Sequence, residues 1–270
     1  MDQRDLEQYG VVMLGCGKMG SAMLAGWLGG GLPATAVTVL DPKPSDWVQQ
    51  TGVALNTPLP DGPALVVVAV KPQMMDEALP TLAALGGGAT LFLSVAAGTS
   101  LAAYEGILGA ETPIIRAMPN TPAAIGRGIT AIIGNAQTTD AHMNMATQLL
   151  SATGSVVRLD TESQMDAVTG VSGSGPAYVF HLIEALAAAG EAQGLPPALA
   201  MELAKATVAG AGELARQSDE TVAQLRVNVT SPQGTTAAGL EQLMDPQTGL
   251  PPLMQRTVTA AANRSRELSQ

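Results

Sequence analysis

The chain has 270 residues, with 13 Lys and Arg against 23 Asp and Glu, and a single cysteine, Cys16. A lone cysteine excludes an intramolecular disulfide framework and a multi-cysteine metal site, and we predict no metal ion. The net charge of −10 and the aromatic content of 3% argue against nucleic acid as a partner, because such binding needs basic patches and stacking rings.

The apolar segments are too short to span a membrane. The longest uninterrupted run covers only Ala64 to Val70, whereas a helix across a bilayer needs about 20 apolar residues. The polar, acidic N-terminal stretch MDQRDLEQYG is unlike a signal or transit peptide. We therefore expect no membrane contact and a cytoplasmic location.

The first part of the chain alternates between two patterns. Short β-branched runs are separated by segments of helical composition, such as Ser21–Leu28 and Met74–Ala84. This alternation predicts a mostly parallel, doubly wound α/β sheet of the Rossmann type, and we assign residues 1–160 to a dinucleotide-binding domain. The predicted strands are Val11–Leu14, Val37–Leu40, Leu65–Val70, Thr90–Val95, Pro113–Arg116, Ile129–Ile133 and Ser155–Leu159.

A glycine-rich loop follows the first predicted strand and precedes a helix, which is the context that a dinucleotide-binding motif requires. Gly15 permits the tight turn, Gly17 lets the backbone approach a pyrophosphate, and Gly20 lets the helix pack close to the sheet. The following helix directs free N–H groups at the phosphates. The predicted pyrophosphate site consists of Gly15, Cys16, Gly17, Lys18, Met19 and Gly20.

Asp41 closes the second predicted strand, about 20 residues after the glycine loop. An acidic residue at this position usually binds the ribose hydroxyls of NAD and repels the 2′-phosphate of NADP. The alternative is that Asp41 only caps the strand and begins a turn with Pro42. A polar pocket of Lys43, Ser45 and Asn56 for a phosphate stays open as well.

Two further patches follow later strands of this domain. Lys71 comes just after the third long apolar run, where the carboxyl ends of parallel strands bind ligands, and the alternative is a solvated lysine. Residues 115–122 contain two prolines and an Asn–Thr pair, which favours a rigid loop suited to a nicotinamide pocket. Composition alone favours an ordinary loop there.

Beyond residue 160 the strand pattern stops. Helical composition covers Ala177–Gln193, Pro197–Gln217 and Leu253–Leu268, with Pro176 in the first turn of one helix and Gly194 at its end. We assign residues 161–270 to a small all-helical domain. One of its helices is apolar on nearly every side, so we expect another subunit to complete the core.

The segment 229–236 lies between two helical stretches of this domain. Ser231, Gly234, Thr235 and Thr236 offer hydroxyls and free backbone N–H groups, which together suit a small carboxylate. The alternative is an ordinary helix N-cap.

These patches together resemble the pyrroline-5-carboxylate reductase family over nearly the whole chain. The glycine loop is followed, in the family's order, by AVKPQ, SVAAGTS, IIRAMPNTPA, GVSGSGPAYVF and TSPQGTT. The resemblance implies reduction of the C=N bond of 1-pyrroline-5-carboxylate to L-proline by NADPH, the last step of proline biosynthesis. It also implies a Rossmann domain and a helical domain that interlocks into a homodimer, with larger rings of dimers as a further expectation.

The resemblance also assigns residues by motif. Asn56 is expected at the adenosine ribose or phosphate, Ser231 to Thr236 at the substrate carboxylate, and the Thr236 hydroxyl near the ring nitrogen as the catalytic group. One site is expected to combine residues of two chains. The residues expected to line the nicotinamide side are Ala69, Val70, Lys71, Pro72, Val95, Ala96, Ala97, Met118 and Asn120.

The sequence departs from the family pattern at two positions. Gln233 replaces the first glycine of the usual SPGGT, and if this position needs a positive φ, glutamine costs about 1 kcal/mol or more. Asp41 stands where many relatives carry a residue that tolerates a 2′-phosphate, which leaves NADH open as the coenzyme.

The reaction needs little general acid–base catalysis, because a protonated imine already accepts hydride readily. Positioning of the reactants contributes roughly 7–11 kcal/mol. We therefore assign Thr236 to orientation and hydrogen bonding. One rival is a β-hydroxyacid dehydrogenase. Those enzymes typically place a lysine on the long interdomain helix, whereas the predicted helix Ala177–Gln193 contains no lysine, which argues against this rival. Another is a non-catalytic dinucleotide-sensing module.

Overall fold

Within residues 3–268, which the computed structural model describes, the chain forms an eight-stranded sheet in the order β3-β2-β1-β4-β5-β6-β7-β8. Residues 1 and 2, part of the polar N-terminal stretch considered above, lie outside this range. Every neighbouring pair is parallel except β6 and β7. The strands are β1 (Val11–Leu14), β2 (Val37–Leu40), β3 (Ala54–Leu55), β4 (Leu65–Val68), β5 (Leu91–Ser94), β6 (Ile114–Met118), β7 (Gly128–Gly134) and β8 (Gly154–Arg158).

Helices and short turns connect these strands. The α-helices are α1 (Gln3–Tyr9), α2 (Lys18–Gly29), α3 (Asp46–Gln50), α4 (Met75–Ala78), α5 (Leu101–Leu108), α6 (Asp140–Ser151) and α7 (Met165–Val168). The 3-10 turns are Ala34–Ala36, Pro72–Met74, Leu79–Leu85, Thr121–Ile125 and Glu162–Gln164, and a π-helical turn covers Thr169–Gly173. The helix predicted over 74–84 therefore becomes a short α-helix and a 3-10 turn, because Pro80 lacks the N–H that a continuous α-helix needs.

The central strands β1, β4 and β5 are buried on both faces. Side chains of β1 alternate between two apolar clusters, with Met13 in one and Val12 in the other. Met13 is paired with Val39 of β2 on one side and Val67 of β4 on the other. The connections leave β1 in opposite directions, so a crevice forms where the carboxyl ends of β1 and β4 meet.

A second compact unit comprises Ser174–Ala260, and the residues from Ala261 onward are grouped with the sheet. Its helices are α8 (Gly175–Ala192), α9 (Pro197–Gln217), α10 (Val222–Asn228), α11 (Thr235–Leu243) and α12 (Leu250–Leu268), the last of which belongs to both units. The terminal helix begins at Leu250, before the predicted Leu253, because the first turn of a helix tolerates prolines. The predicted boundary between residues 160 and 161 stays a prediction for the functional domains.

The helical unit has a small core of its own. Among its described residues, the buried apolar cluster consists of three alanines, Ala187, Ala200 and Ala204. Many large apolar side chains of this unit are exposed instead. They include Val179, Phe180, Leu182, Leu186, Leu195, Leu199, Leu203, Leu214, Val222, Val227, Val229, Leu243, Met244, Leu250 and Leu253.

Candidate active site

The glycine loop is closed tightly against its neighbours. Gly15 has a φ of +83°, and a Cβ atom there would lie 2.9 Å from Cγ1 of Val70. Its N–H donates to the carbonyl oxygen of Leu40 at 2.8 Å. A side chain at Gly15 would therefore meet both backbone strain and a steric clash.

Gly17 and Gly20 have different surroundings. A Cβ atom on Gly20 would lie 2.9 Å from the carbonyl oxygen of Gly15, so this glycine lets α2 pack on the loop. A Cβ atom on Gly17 would meet no described atom within 4 Å. Gly17 thus exposes bare backbone at the start of α2, a helix of 12 residues. This open backbone beside free helix N–H groups fits a pyrophosphate.

Cys16 lies inside the loop and is buried. Burial raises the pKa of its thiol, the hydrogen bond with Ser21 lowers it, and the Asp41 carboxylate raises it. A neutral, buried thiol has little nucleophilic character. Cys16 therefore contributes its backbone to the loop.

The Asp41 carboxylate links the end of β2 to the glycine loop. Its Oδ2 accepts a hydrogen bond from the N–H of Cys16, and its Oδ1 accepts one from the N–H of Lys43, both at 2.8 Å. Asp41 therefore does cap the strand and begin a turn, as the structural alternative predicted. Capping the strand is compatible with binding ribose hydroxyls, because a carboxylate offers about four acceptor positions.

Asn56 follows β3 and holds the backbone of Asp41 from the other side. Its Oδ1 accepts from the N–H of Asp41, and its Nδ2 donates to the carbonyl oxygen of Asp41, both at 2.9 Å. The φ of Asn56 is +50°, a conformation that asparagine tolerates better than most residues. Strand β3 was not predicted, and it is what brings Asn56 to this position.

A cavity of about 340 Å³ adjoins this pair of residues at the carboxyl ends of β1, β2 and β4. Its size and mixed character suit the adenosine end of a dinucleotide. The lining residues include Leu14, Leu40, Asp41, Asn56, Val70 and Glu77.

The other predicted coenzyme residues continue along the same edge of the sheet. Residues 69–72 follow β4, residues 95–97 follow β5, and Met118 and Asn120 lie at the end of β6. The Asn120 side chain accepts from the N–H of Ile129 at 3.0 Å and donates to the carbonyl oxygen of Ser172 at 3.1 Å. Lys71 is exposed at the start of a 3-10 turn, and its contact with a coenzyme stays a prediction.

Sequence reasoning missed a set of buried polar side chains beneath these segments. Ser94 ends β5 and shares a hydrogen bond with Tyr104, while Arg116 of β6 pairs with Glu162. The available signal was a polar residue inside an otherwise apolar strand, as in LFLS and IIRAM. Such residues need partners when buried.

The predicted substrate segment forms a tight turn in the helical unit. The N–H of Gly234 donates to the carbonyl oxygen of Ser231 at 3.1 Å. Pro232 occupies the second position, and Gln233 at the third has a φ of +60°. This is the pattern of a type II turn, whose third position favours glycine. Position 233 therefore has the positive φ for which a cost was expected, and the backbone of Gln233 is strained.

Gly234 and the two threonines complete the segment. A Cβ atom on Gly234 would lie 2.3 Å from Oγ of Ser231, so a side chain there would displace the Ser231 hydroxyl from its present position. Thr235 begins α11, which has 9 residues, and Thr236 follows it with an exposed side chain. The turn therefore places two hydroxyls at a helix N-terminus. Ser231 and residues 234–236 lie together in this segment, and their role at a substrate carboxylate stays a prediction.

Comparisons with known proteins identify the chain's relatives. A family described as "Pyrroline-5-carboxylate reductase dimerisation" matches residues 162–268, and one described as "NADP oxidoreductase coenzyme F420-dependent" matches residues 10–98. The pyrroline-5-carboxylate reductase of Pseudomonas aeruginosa is 38% identical, over 96% of this chain and 97% of that protein. The chain belongs to the pyrroline-5-carboxylate reductase family.

Solved structures from the pyrroline-5-carboxylate reductase family share the fold. The enzyme of Coxiella burnetii is 32% identical with a TM-score of 0.89, covering 97% of this chain and 99% of that one. The Plasmodium falciparum pyrroline carboxylate reductase, solved with NADP bound, is 28% identical with a TM-score of 0.83, covering 98% and 99%. The predicted fold class and the prediction of an oxidoreductase are confirmed, and a nicotinamide coenzyme is supported.

The match to the dimerisation family covers residues 162–268, which include the helical unit, and it agrees with the small core of that unit. The part of the chain that the structure describes contains no helix long and apolar enough to cross a membrane. The roles of individual site residues stay predictions.

Proposed function

We propose that this chain reduces the C=N bond of 1-pyrroline-5-carboxylate and thereby completes the biosynthesis of L-proline. NAD(P)H supplies the hydride to the imine carbon and leaves as NAD(P)+, while a proton completes the secondary amine. The proposal is carried by one combination: a glycine loop shaped for a pyrophosphate and a turn suited to a carboxylate occur in a chain of this family.

The sheet unit holds the coenzyme in this proposal. Gly15 to Gly20 present backbone N–H groups to the pyrophosphate, and Asp41 and Asn56 border the adenosine cavity. Residues 69–72, 95–97, Met118 and Asn120 line the nicotinamide side, since all lie at one edge of the sheet. Binding along this edge fixes the orientation of the reacting ring, which is the main catalytic demand.

We propose further that Asp41 sets the coenzyme preference. The family resemblance alone favours NADPH. However, the Asp41 carboxylate is anchored by the N–H groups of Cys16 and Lys43, so its negative charge cannot swing away from the end of β2. A fixed carboxylate beside the ribose pairs well with two hydroxyls and repels a 2′-phosphate. We therefore expect NADH to be the better coenzyme for this chain.

The turn of residues 231–236 binds the substrate carboxylate. Free N–H groups at the start of α11 and the hydroxyls of Ser231, Thr235 and Thr236 provide donors for an anion. The Thr236 hydroxyl orients the ring nitrogen by a hydrogen bond, since threonine is too weak an acid to serve as a strong general acid. A proton bound to the imine in advance then completes the product.

Dimer formation completes the helical core. Fifteen large apolar side chains of residues 174–260 are exposed in the single chain, more than a stable monomeric unit would leave in water. We propose that two helical domains interlock and cover them, with rings of dimers as a further step. A cytoplasmic location stays a prediction.

The test is the fall in absorbance at 340 nm with 1-pyrroline-5-carboxylate, run with NADH and NADPH in parallel. Turnover with higher kcat/KM for NADH supports the whole proposal, and a preference for NADPH refutes the role of Asp41 only. Coenzyme binding without turnover of this substrate would favour a dinucleotide-sensing module. Turnover of hydroxy acids instead would favour a β-hydroxyacid dehydrogenase.

A further inference from the structure

The segment that follows β5, residues 95–100, is held at its beginning by two buried hydroxyls. We call this segment loop 95–100. Ser94 Oγ accepts from the N–H of Ala96 at 3.2 Å and shares a hydrogen bond of 2.5 Å with the Tyr104 hydroxyl. Both side chains are almost completely buried, at 1% exposure each. The first turn of the loop is therefore fixed by contacts within the protein interior.

The far end of loop 95–100 is held by an ion pair. The N–H of Leu101 donates to Oε1 of Glu162 at 2.8 Å, and the same oxygen accepts from Nη1 of Arg116 at 2.7 Å. Arg116 is 6% exposed, although it carries a full charge. Glu162 thus joins β6 to the first residue of α5.

Tyr104 connects the two ends. Burial raises the pKa of the Tyr104 phenol, while hydrogen bonds with Ser94 and Thr99 and the charge of Arg116 lower it. The Tyr104 hydroxyl is bonded to Ser94 at the start of the loop, and Tyr104 itself belongs to α5, whose first residue, Leu101, is held by Glu162. The two hydrogen-bonded groups, Ser94 with Tyr104 and Arg116 with Glu162, hold the two ends of loop 95–100 and together make up its polar network.

Stability alone is a weak reason for such a network. Removing an arginine from water is costly, and a buried ion pair often stabilises a fold no better than apolar residues of similar volume. What the network does determine is the backbone course of loop 95–100 and of β6 just before Met118. Both segments belong to the proposed nicotinamide side.

We propose that Ser94, Tyr104, Arg116 and Glu162 are positioning residues for the nicotinamide ring. They act through the backbone of loop 95–100 and the end of β6, and they touch neither coenzyme nor substrate in this role. The proposal rests on the proposed function of the coenzyme edge. It predicts that loosening the network misplaces the ring while coenzyme binding at the glycine loop persists.

The decisive variants are Tyr104→Phe and Glu162→Ala, with Glu162→Gln as the conservative replacement. Tyr104→Phe deletes one hydroxyl and keeps the ring. Glutamine at position 162 keeps an oxygen that can accept from Leu101 and Arg116. A matched control is Thr112→Val, which deletes a hydroxyl that is just as buried but lies before β6, where it binds the N–H of Gly87.

In steady-state assays we expect Tyr104→Phe and Glu162→Ala to lower kcat by about tenfold to hundredfold, because small misplacements of reacting groups are costly. The KM for the imine should change little, and the deuterium isotope effect from 4-deuterated coenzyme should rise as hydride transfer becomes limiting. Glu162→Gln should recover most of kcat, and Thr112→Val should match the wild type. Lower Tm with unchanged kcat and isotope effect would overturn the proposal.

Hydrogen exchange of the protein without coenzyme gives a readout independent of turnover. We expect amides of residues 95–101 to exchange at least tenfold faster in Tyr104→Phe and Glu162→Ala, with β1 and β4 unchanged. Uniformly faster exchange over the whole sheet, or an unchanged exchange rate in this loop, refutes the positioning role of these residues. If wild-type protein fails to reduce the imine, the proposed function fails, yet this exchange measurement still decides whether the network orders the loop.

Discussion

The backbone N–H of Cys16 donates to Oδ2 of Asp41 at 2.8 Å, so the end of β2 is bound to the loop that follows β1. This contact keeps a negative charge at a fixed position beside the adenosine cavity. The same side chain thus shapes the loop and, in the proposed function, sets the coenzyme preference.

The first prediction concerns this charge. Asp41→Asn keeps the size of the side chain and removes its charge, so repulsion of a 2′-phosphate should weaken. It also loses one of the two backbone hydrogen bonds, because the amide nitrogen cannot accept from an N–H group. We expect the ratio of kcat/KM for NADPH over NADH to rise by about tenfold, equivalent to about 1.4 kcal/mol. Asp61→Asn, on an exposed residue remote from this edge of the sheet, is the control. An unchanged ratio in Asp41→Asn would show that Asp41 is only a structural cap.

The second prediction separates two glycines of the same loop. Gly17 has a φ of −71° and open space around a Cβ atom, so Gly17→Ala should fold with an unchanged Tm. It should raise the Kd for coenzyme by tenfold or more, because a methyl group blocks backbone approach to the pyrophosphate. Thermal unfolding and a coenzyme titration by fluorescence measure the two effects.

Gly15→Ala is the matched comparison. Residue 15 has a φ of +83°, and the added Cβ atom would clash with Val70. We therefore expect the Gly15→Ala protein without ligand to be less stable to unfolding by about 1–3 kcal/mol. Equal Tm values for the two alanine variants would contradict this distinction.

The third prediction concerns strain at Gln233. Since its φ is +60°, Gln233→Gly should relieve backbone strain, partly offset by the greater freedom of glycine in the unfolded chain. We expect a net gain of about 0.5–1 kcal/mol, or roughly 1–4 °C in Tm. Scans at one protein concentration keep the oligomeric state constant, and a lower Tm for Gln233→Gly would contradict the strain.

The fourth prediction tests the Thr236 hydroxyl. A hydrogen bond to a charged group contributes about 1.5–3 kcal/mol, so Thr236→Ala should lower kcat/KM by about tenfold to hundredfold. Thr236→Ser keeps the hydroxyl and should restore most of the activity. Far-ultraviolet circular dichroism checks that α11 is intact in both variants. Unchanged kcat and KM in Thr236→Ala would remove this residue from the mechanism.

The fifth prediction concerns the exposed apolar surface of the helical unit. Leu203 of α9 is 48% exposed, and an aspartate there should prevent the burial of this face between subunits. We expect Leu203→Asp to lower the mass measured by light scattering at micromolar concentration from a dimer or larger to a monomer. Lys205→Asp, on nearly the opposite side of the same helix, should leave the assembly intact. A wild-type monomer would refute the dimer itself.

Local patterns in the sequence predicted a large part of the fold and the candidate site. The strand β1, the glycine loop and the presence of a helix after it all follow from residues next to each other in the chain, although α2 begins at Lys18 and not at the predicted Ser21. Helix α8 likewise begins around Pro176 and ends before Gly194, as expected. The strain at Gln233 was anticipated from the family pattern SPGGT, in which a glycine occupies this position.

Other features depend on residues far apart in sequence. The antiparallel pairing of β6 and β7 and the two-residue strand β3 have no distinct local signal. The clamp between Asp41 and Asn56 exists because β3 pairs beside β2. The contacts of Arg116 with Glu162 and of Ser94 with Tyr104 likewise needed the folded positions of β5, β6 and α5.

Turn chemistry and strand patterning are local properties of the chain, so the residues alone were enough to predict the family, the coenzyme-binding motif and the glycine positions of the loop after β1. The hydrogen-bond partners of Asp41 and Arg116 are visible only in the folded chain. Hydrogen-bond partners across a sheet depend on strand order and register, and these emerge only when distant segments pack together.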